Sequence, residues 1–242
     1  MISVIIPTLN EGARLPRLLA TLKRQPVPPE IIVADGGSDD GTGAIALNSG
    51  VKVIVTAPGR GGQIRAGAEA AGGDILLFLH ADSLFPAGGL AAIEEALSDP
   101  RIVGGNFRLH FDGPSGFARW LTGFYAFIRR LGLYYGDSGV FVRRRVYDAL
   151  GGVRPIALME DFDFNRRLER AGPTRCIASP PLVTSSRRFE GRHPLAIIWG
   201  WLGIHALFYL HVSPARLARL YDSERARERP YRPAGAPFKA QS

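Results

Sequence analysis

Cysteine and lysine are scarce in this sequence. Cys176 is its single cysteine, so the chain can form no internal disulfide and no cysteine-based zinc site. Such a composition is typical of a reducing compartment, and we expect a cytoplasmic protein. Only three of its 30 basic residues are lysines, and the others are arginines. The formal net charge is +8, and because arginine binds oxyanions through paired hydrogen bonds, this composition favours phosphate ligands or acidic surfaces.

The sequence also lacks several motifs of nucleotide-binding proteins. The turn after its first apolar run is PTLNEG, at residues 7–12, which has one glycine. This turn is neither the G-x-G-x-x-G of dinucleotide-binding folds nor the G-x-G-x-R-x-x-P loop of sugar nucleotidyltransferases, and no Walker loop occurs. No helix-turn-helix, zinc or aromatic-platform signature accompanies the positive charge, so we expect no nucleic-acid partner.

Short apolar runs alternate with amphipathic stretches in the first third of the chain. Because this alternation is typical of a parallel sheet covered on both faces, we predict an open α/β fold. Beyond residue 86 the pattern is less regular. Strands are predicted at 2–6, 30–35, 51–56, 74–82, 102–111 and 137–144, and the later helices at 86–97, 116–132 and 159–172.

Polar side chains follow three of the predicted strands. Asn10 and Glu11 come after the first strand, Asp35 ends the second, and His80 and Asp82 end the fourth. Because ligands of open α/β sheets bind outside the carboxyl ends of the strands, these residues predict a binding edge. Taken one at a time, each of them also fits a helix cap or a turn.

Five blocks of sequence resemble the family 2 glycosyltransferases of GT-A fold. They are IIPTLNE, VADGGSDDGT, GRGGQIRAG, HAD and MEDFDFNRRLERAG, and they span about residues 2–171. The resemblance implies transfer of a sugar from a nucleotide-diphosphate donor, with UDP favoured, to a hydroxyl acceptor, usually with inversion and with Mn²⁺ or Mg²⁺. We expect the acceptor to be a small molecule or a lipid-linked molecule. It is strongest for a bacterial subgroup that carries HAD in place of D-x-D together with an SSRRF segment, and that is associated with arsenosugar-type biosynthesis.

The donor site implied by this resemblance falls on the first three blocks. Thr8, Asn10 and Glu11 match the loop that borders the nucleoside. Asp35 matches the carboxylate that hydrogen-bonds the base, and Arg60 matches a residue near the base or the diphosphate. The chemistry agrees, because uracil N3–H needs an acceptor and phosphates need a cation.

The HAD block matches the metal site of the family but departs from it at one position. Asp82 matches the metal-binding aspartate, whose cation would offset charge on the leaving diphosphate. His80 replaces the first aspartate of D-x-D and brings no negative charge. We expect His80 to contact the nucleotide or to ligate manganese. A structural role for His80 and a metal-independent reaction are the alternatives.

Asp161, beside Glu160, matches the catalytic base of the family. Inverting transfer needs a carboxylate on the acceptor side of the anomeric carbon, where it accepts the hydroxyl proton. A position in the first turn of a helix keeps such a carboxylate ionised. The alternative is that both acids merely satisfy the helix N-terminus.

Further candidate ligands lie in the last third of the chain. Arg187 and Arg188, in the SSRRF segment, stand where many relatives carry a basic-aromatic diphosphate motif, and His193 is a candidate metal ligand. Adjacent arginines also suit a solvated surface, and a histidine before a proline also suits a cap. Both alternatives stay open.

Residues 195–212 form an apolar run interrupted by two histidines. As a helix this run would span about 27 Å, just short of the roughly 30 Å core of a bilayer. Three interpretations follow: a helix buried in the fold or in a homodimer interface, a helix on the inner membrane surface, and a marginal transmembrane helix. A second apolar stripe bordered by arginines has the composition of a membrane-surface helix, although such a stripe more often packs in a core. It comprises Phe117, Trp120, Leu121, Phe124 and Ile128, with Arg119, Arg129 and Arg130 beside it.

No linker or repeat divides the chain, so we predict one domain over residues 1–242. Within it we expect a nucleotide-binding half at 1–100, an acceptor and catalytic half at 101–190, apolar and basic helices at 191–232, and a loose tail at 233–242. The first apolar run has no basic region before it and is predicted to be a strand, not a signal peptide. The alternatives to sugar transfer are a sugar nucleotidyltransferase and a nucleotide-sugar-binding or membrane-associated scaffold.

Overall fold

The computed structural model describes residues 1–113, 116–185 and 194–227. Three candidate site residues, Arg187, Arg188 and His193, lie outside these ranges, as does the predicted tail at 233–242. Their roles stay predictions from the sequence.

Seven strands of the described residues form one sheet. They are β1 (Ile2–Thr8), β2 (Glu30–Asp35), β3 (Lys52–Val55), β4 (Ile75–Phe78), β5 (Gly104–Phe111), β6 (Val140–Arg143) and β7 (Thr174–Thr184). Their order in the sheet is β3-β2-β1-β4-β6-β5-β7. β6 runs antiparallel to both of its neighbours, and the other pairs are parallel. The predicted α/β fold with a mostly parallel sheet is confirmed.

Helices occupy most of the connections between these strands. They are α1 (Leu15–Lys23), α2 (Thr42–Asn48), α3 (Arg60–Ala70), α4 (Gly89–Ala96), α5 (Gly116–Arg130), α6 (Arg144–Ala149), α7 (Glu160–Ala171), α8 (Pro194–Tyr209) and α9 (Pro214–Arg227). Buried side chains form two clusters, one of which includes α1, α4 and α5 and the other α3 and α7.

The central strand β1 contributes to both clusters. Val4 and Ile6 belong to one cluster, and Ile5 belongs to the other. This alternation follows from the period of two in a strand, and it explains why the sequence of β1 is continuously apolar. Helix α3 packs very closely here, because a Cβ on Gly67 would lie 2.5 Å from Cγ2 of Ile5.

Two elements were absent from the sequence prediction, the strand β7 and the short helix α6. β7 contains Pro180 and Pro181, which weaken the sequence signal for a strand because proline cannot donate to the ladder. It is tolerated because β7 lies at an edge of the sheet and pairs with β5 alone among the described strands.

The fourth strand is shorter than the predicted run at 74–82. β4 ends at Phe78, and one more ladder hydrogen bond joins the Leu79 N–H to the Ile5 carbonyl at 3.1 Å. The chain then turns, with the Ser83 N–H donating to the His80 carbonyl at 3.1 Å. His80 and Asp82 therefore lie in a turn at the carboxyl edge of the sheet, where ligands of such folds bind.

The apolar run near the C-terminus forms helix α8, which has 16 residues. In the part of the chain that the structure describes, no helix is both long and apolar enough to cross a membrane. The interpretations of residues 195–212 as a buried, interface or membrane-surface helix stay predictions from the sequence.

Candidate active site

The loops that follow β1 and β2 are joined by hydrogen bonds. The N–H of Asn10 donates to Ser38 Oγ at 2.9 Å, and the N–H of Asp39 donates to Asn10 Oδ1 at 3.0 Å. The N–H of Glu11 donates to Thr42 Oγ1 at 2.9 Å. Asn10 has a φ of 56°, in the left-handed region that asparagine adopts more readily than most residues. The two loops thus form one connected edge at the carboxyl ends of the strands.

Asp35 connects the two loops from a buried position. Its carboxylate is 4% exposed and accepts hydrogen bonds from Thr8 Oγ1 at 2.9 Å, from Ser38 Oγ at 2.5 Å and from the Ser38 N–H at 2.9 Å. Burial opposes ionisation, but these hydrogen bonds outweigh it and lower the pKa of Asp35. The structure thus brings Thr8, Asn10, Glu11 and Asp35 together, as the sequence predicts.

Gln63 is a supporting residue that sequence reasoning missed. Its amide group is buried and donates to the Thr8 carbonyl at 2.6 Å and to the Ala34 carbonyl at 2.8 Å. Those carbonyls stand at the ends of β1 and β2, so Gln63 clamps the two strand ends from α3. Its place within the GRGGQIRAG block is the one signal in the sequence that could have indicated this role.

A second group of site residues centres on Arg60 at the start of α3. Its Nε donates to Glu160, and its Nη2 lies 3.6 Å from Oδ2 of Asp161. The side chains of Glu160 and Asp161 are 2% and 12% exposed, whereas a third of Arg60 is exposed. Helix α3 approaches the segment before α7 so closely that only glycine fits at position 61. A Cβ on Gly61 would lie 2.5 Å from the Arg154 carbonyl oxygen.

Asp161 is fixed in place by the backbone as well as by Arg60. Its Oδ2 accepts from the Gly136 N–H at 2.8 Å and its Oδ1 from the Phe162 N–H at 2.7 Å. Burial opposes ionisation of this carboxylate, but Arg60, the two N–H groups and His80 together lower its pKa. In Glu160 burial dominates over the attraction of Arg60, and the pKa is raised. The Asp161 carboxylate is therefore held ionised at neutral pH.

Asp161 faces the main cleft, a cavity of about 190 Å³ between the carboxyl edge of the sheet and helix α8. Arg60, His80, Asp82 and Asp161 all line this cleft, so the structure unites four of the predicted residues. His80 lies near Asp161. Its Nε2 is 3.3 Å from the position that a Cβ on Gly136 would occupy, and the Gly136 N–H binds the Asp161 carboxylate. Cleft residues that sequence reasoning missed include Tyr125, Tyr135, Asp137, Trp201 and His205.

Asp82 also lines a second cleft of about 200 Å³, on the side of helix α1. Arg14 and Arg17 contribute to its lining, together with Thr184 and Ser185, which line the main cleft as well. Arg14 is paired with Glu11 at 2.7 Å. Asp82 thus stands between a cleft with arginines and the cleft that contains Asp161.

The chemistry of the residues in the cleft can be compared with that of a divalent-metal site. Within residues 1–113, 116–185 and 194–227, no group of three or more His, Cys, Asp and Glu side chains has the arrangement of a metal centre. Asp82 offers one carboxylate to the cleft, and His80 lies two residues before it. A hard cation commonly binds through one or two carboxylates and the phosphates of its substrate, and Asp82 fits that pattern.

Comparison with solved structures agrees with this fold. A mannosyltransferase from Pyrobaculum calidifontis, solved with GDP-Man and Mn²⁺, aligns over 93% of this chain and 74% of its own, with a TM-score of 0.63 and 20% identity. S. aureus TarS aligns over 76% of this chain with a TM-score of 0.59 and 18% identity, although the chain spans only 36% of TarS. TarS 1–349 has also been solved with UDP. The architecture is that of a GT-A glycosyltransferase.

The family follows from the sequence comparisons. Residues 3–149 match the model of glycosyl transferase family 2. A PGL/p-HBAD biosynthesis glycosyltransferase of Mycobacterium bovis is 31% identical over 201 residues, which cover 76% of this chain and 72% of that protein. The chain belongs to glycosyl transferase family 2 and is a glycosyltransferase.

Replacing Arg60 by methionine tests the charge cluster, since methionine keeps an unbranched apolar stem without the cation. Removing one partner of a buried ion pair strands the other charges, and we expect Arg60→Met to lose about 3 kcal/mol of unfolding free energy at pH 7. Without the cation, the pKa of Glu160 in the folded state, which burial already raises, rises further, and the pKa of Asp161 rises as well. The folded state then binds more protons as pH falls, so the deficit should shrink between pH 7 and pH 5. Urea unfolding of wild type and Arg60→Met at both pH values measures this loss of unfolding free energy.

The matched control is Arg65→Met on the same helix. Arg65 pairs with Glu69 at 3.1 Å, but the two side chains are 50% and 66% exposed. Exposed pairs contribute about 0–1 kcal/mol, so this variant should lose little stability and show no such pH dependence. Equal losses in the two variants would contradict the proposed importance of the Arg60 cluster.

Proposed function

We propose that this glycosyltransferase uses a nucleotide-diphosphate sugar, with a UDP-sugar favoured, and transfers the sugar with inversion to a hydroxyl acceptor. The observation that carries this proposal is the ionised Asp161, fixed at the lining of a cleft that also contains Arg60, His80 and Asp82. Support for UDP comes from the structure of TarS 1–349 with UDP, and for nucleotide sugars in general from the GDP-Man complex of the mannosyltransferase.

The nucleoside is proposed to bind at the connected loops after β1 and β2. Asp35 accepts hydrogen bonds from Thr8 and Ser38 and also interacts with the Gly37 N–H. It therefore organises these loops, and we propose that it contacts the base as well. The diphosphate is proposed to lie towards Arg60 and Asp82. Arg187 and Arg188 are proposed as further phosphate ligands on the strength of the sequence.

In the proposed reaction Asp161 is the general base. It accepts the proton of the acceptor hydroxyl while the acceptor oxygen forms a bond to the anomeric carbon. The bond from that carbon to the donor phosphate breaks, and the nucleoside diphosphate leaves on the opposite side with the electron pair, which gives inversion. The N–H groups of Gly136 and Phe162 fix the orientation of the carboxylate during this transfer.

A divalent cation, Mn²⁺ or Mg²⁺, is proposed at Asp82, where it would neutralise charge on the diphosphate. The mannosyltransferase from P. calidifontis was solved with Mn²⁺. His80 and His193 are proposed as additional contacts to the nucleotide or the metal. Because Asp82 is a single carboxylate, most of the binding of the metal would depend on the phosphates of the donor.

Asp161→Asn should retain nucleotide binding and lose transfer. A positioned carboxylate base contributes about 10²–10⁴ in rate, and asparagine cannot accept the proton. We therefore expect donor hydrolysis or transfer to slow at least about a hundredfold, with UDP affinity near that of the wild type. Calorimetry with UDP and a coupled assay for UDP release give the two readings.

Asp163→Asn is the control for this substitution. Asp163 lies in the same turn of α7, but its carboxylate pairs with Arg154 at 3.1 Å and Arg167 at 2.8 Å. This variant should lose stability and keep a rate close to that of the wild type. A normal rate in Asp161→Asn would remove Asp161 from the mechanism and direct the search to Glu160 or His193.

Asp82→Ala should abolish the effect of metal on donor binding. We expect Mn²⁺ to raise the affinity of the wild-type enzyme for UDP and to leave that of Asp82→Ala unchanged, while both bind UDP alike without metal. Calorimetric titrations of UDP with and without Mn²⁺ measure this difference. Asp74→Ala, at the other end of β4 and 88% exposed, is the control and should respond to Mn²⁺ like the wild type. An equal response in Asp82→Ala would refute the assignment.

A membrane contact at the outer face of α8 is also proposed, consistent with the expected location at the inner face of the cell membrane. This face carries exposed apolar side chains, among them Leu195 (57%), Trp199 (71%) and Leu210 (73%). Exposed arginines lie on the neighbouring helices, at Arg119 and Arg130 of α5 and Arg216 and Arg219 of α9. Aromatic and aliphatic side chains flanked by arginine are typical of binding to anionic lipid surfaces.

Trp199→Ser tests this contact. Wild-type protein should co-sediment with vesicles of phosphatidylcholine containing 30% phosphatidylglycerol, and less so as salt is raised. Loss of a tryptophan from an apolar contact should weaken vesicle binding about tenfold, whereas Val27→Ser, at an equally exposed position on the loop before β2, should not. If the protein does not bind vesicles, and light scattering shows a dimer that Trp199→Ser dissociates, this face is a homodimer interface instead.

A further inference from the structure

The lining of the main cleft divides into two chemically different parts. One part is charged and consists of Arg60, His80, Asp82, Asp137 and Asp161. The other part is apolar and is supplied largely by α8, with contributions from the end of β5 and from α5. We name this second part the apolar wall and define it by Phe111, Tyr125, Ile197, Trp201 and Ile204.

Helix α8 presents one face to the cleft. Ile197, Gly200, Trp201 and Ile204 line the cavity at spacings of three and four residues, which places them on a single side of a helix. The side chain of Trp199 points elsewhere and is 71% exposed. The inward face of α8 is therefore distinct from the exposed face described above.

Two polar side chains next to the apolar wall, Tyr135 and His205, are paired with each other. The Trp201 carbonyl can only accept, so Nδ1 of His205 carries the proton and donates to it at 2.7 Å. Nε2 of His205 then accepts from the hydroxyl of Tyr135 at 2.9 Å. His205 is buried, and burial lowers its pKa, which keeps the ring neutral. Because these groups satisfy one another, they need no hydrogen bond from a ligand.

Aromatic packing connects the apolar wall to the catalytic base. Trp201 packs edge-on against Tyr135, with ring centroids 5.7 Å apart, and Tyr135 stacks on Phe162 at 6.0 Å. Phe162 follows Asp161 directly, and its N–H binds the Asp161 carboxylate. A molecule that lies along the wall is thus positioned relative to the base through rigid contacts.

We propose that the acceptor is a lipid-like alcohol, whose hydroxyl meets Asp161 while its apolar chain or ring lies along the apolar wall. This inference rests on the proposed role of Asp161 and adds the class of acceptor. A sugar acceptor would place hydroxyls against the aliphatic side chains of Ile197 and Ile204, which offer no hydrogen bonds, and unpaired polar groups are costly to bury. An apolar acceptor gains from the same contacts.

The first test uses wild-type enzyme and a series of primary alcohols from 1-butanol to 1-octanol. In the presence of UDP, affinity measured by calorimetry should rise about threefold to fourfold for each added methylene that enters the cleft. With a UDP-sugar present, KM for transfer should fall in the same progression. Affinity that does not change along the series would overturn the inference, whether or not transfer occurs.

The second test asks whether the binding occurs at the apolar wall. Trp201→Ala should weaken 1-octanol binding about tenfold or more, with UDP affinity preserved as evidence of a folded donor site. Ile204→Ser provides the same test should the tryptophan variant fold poorly. Phe127→Ala is the control, because Phe127 lies on α5 close to Tyr125 in sequence but is 57% exposed and outside the cleft lining.

The outcomes separate this inference from the proposed function. If UDP binds and 1-octanol binding is lost in Trp201→Ala or Ile204→Ser but kept in Phe127→Ala, the inference stands. If both wall variants bind 1-octanol like the wild type, the inference is wrong while sugar transfer is unaffected. If neither UDP nor any UDP-sugar binds the wild type, the proposed function fails. The dependence of alcohol affinity on chain length would then still show whether the apolar wall binds apolar molecules.

Discussion

The active-site geometry depends on a single cation placed between two buried carboxylates. Arg60 begins α3, which packs on the central strand β1, and Glu160 and Asp161 begin α7, a hundred residues later in the chain. Because an uncompensated buried charge is expensive, the two carboxylates require the guanidinium. Gly61 permits the close approach, since any side chain there would collide with the Arg154 carbonyl. The pairing thus fixes the segment that bears Asp161 against the sheet whose loops hold Asp35.

The interaction of Arg60 with Asp161 has two opposing effects on the proposed proton transfer. Arg60 helps to lower the pKa of Asp161, so the carboxylate is always available in its ionised form, but a lower pKa also makes it a weaker proton acceptor. Orientation compensates in part, because the N–H groups of Gly136 and Phe162 hold the carboxylate towards the cleft.

The sequence predicts the first half of the fold well and the acceptor side less well, for physical reasons. β1, β2 and β4 are buried on both faces and therefore read as continuous apolar runs. The edge strand β7 contains two adjacent prolines and gives no such signal. Arg60 was predicted as a donor ligand, but its pairing with Glu160 spans a hundred residues and leaves no local pattern. The apolar run of α8 was evident, but a helix that is apolar on every side does not reveal which face lines a cavity. The contact of His205 with Tyr135 likewise joins residues 70 positions apart.

The histidine at position 80 agrees with the electrostatics of this cleft. Asp82, Asp137 and Asp161 line it, Glu160 is buried behind it, and Arg60 is the guanidinium in its lining. A carboxylate in place of His80 would stand near Asp161 and raise its pKa through repulsion between like charges. The imidazole acts in the opposite direction, since His80 contributes to the lowered pKa of Asp161. The histidine therefore adds no negative charge to a crowded cleft, and it favours the ionised form of Asp161.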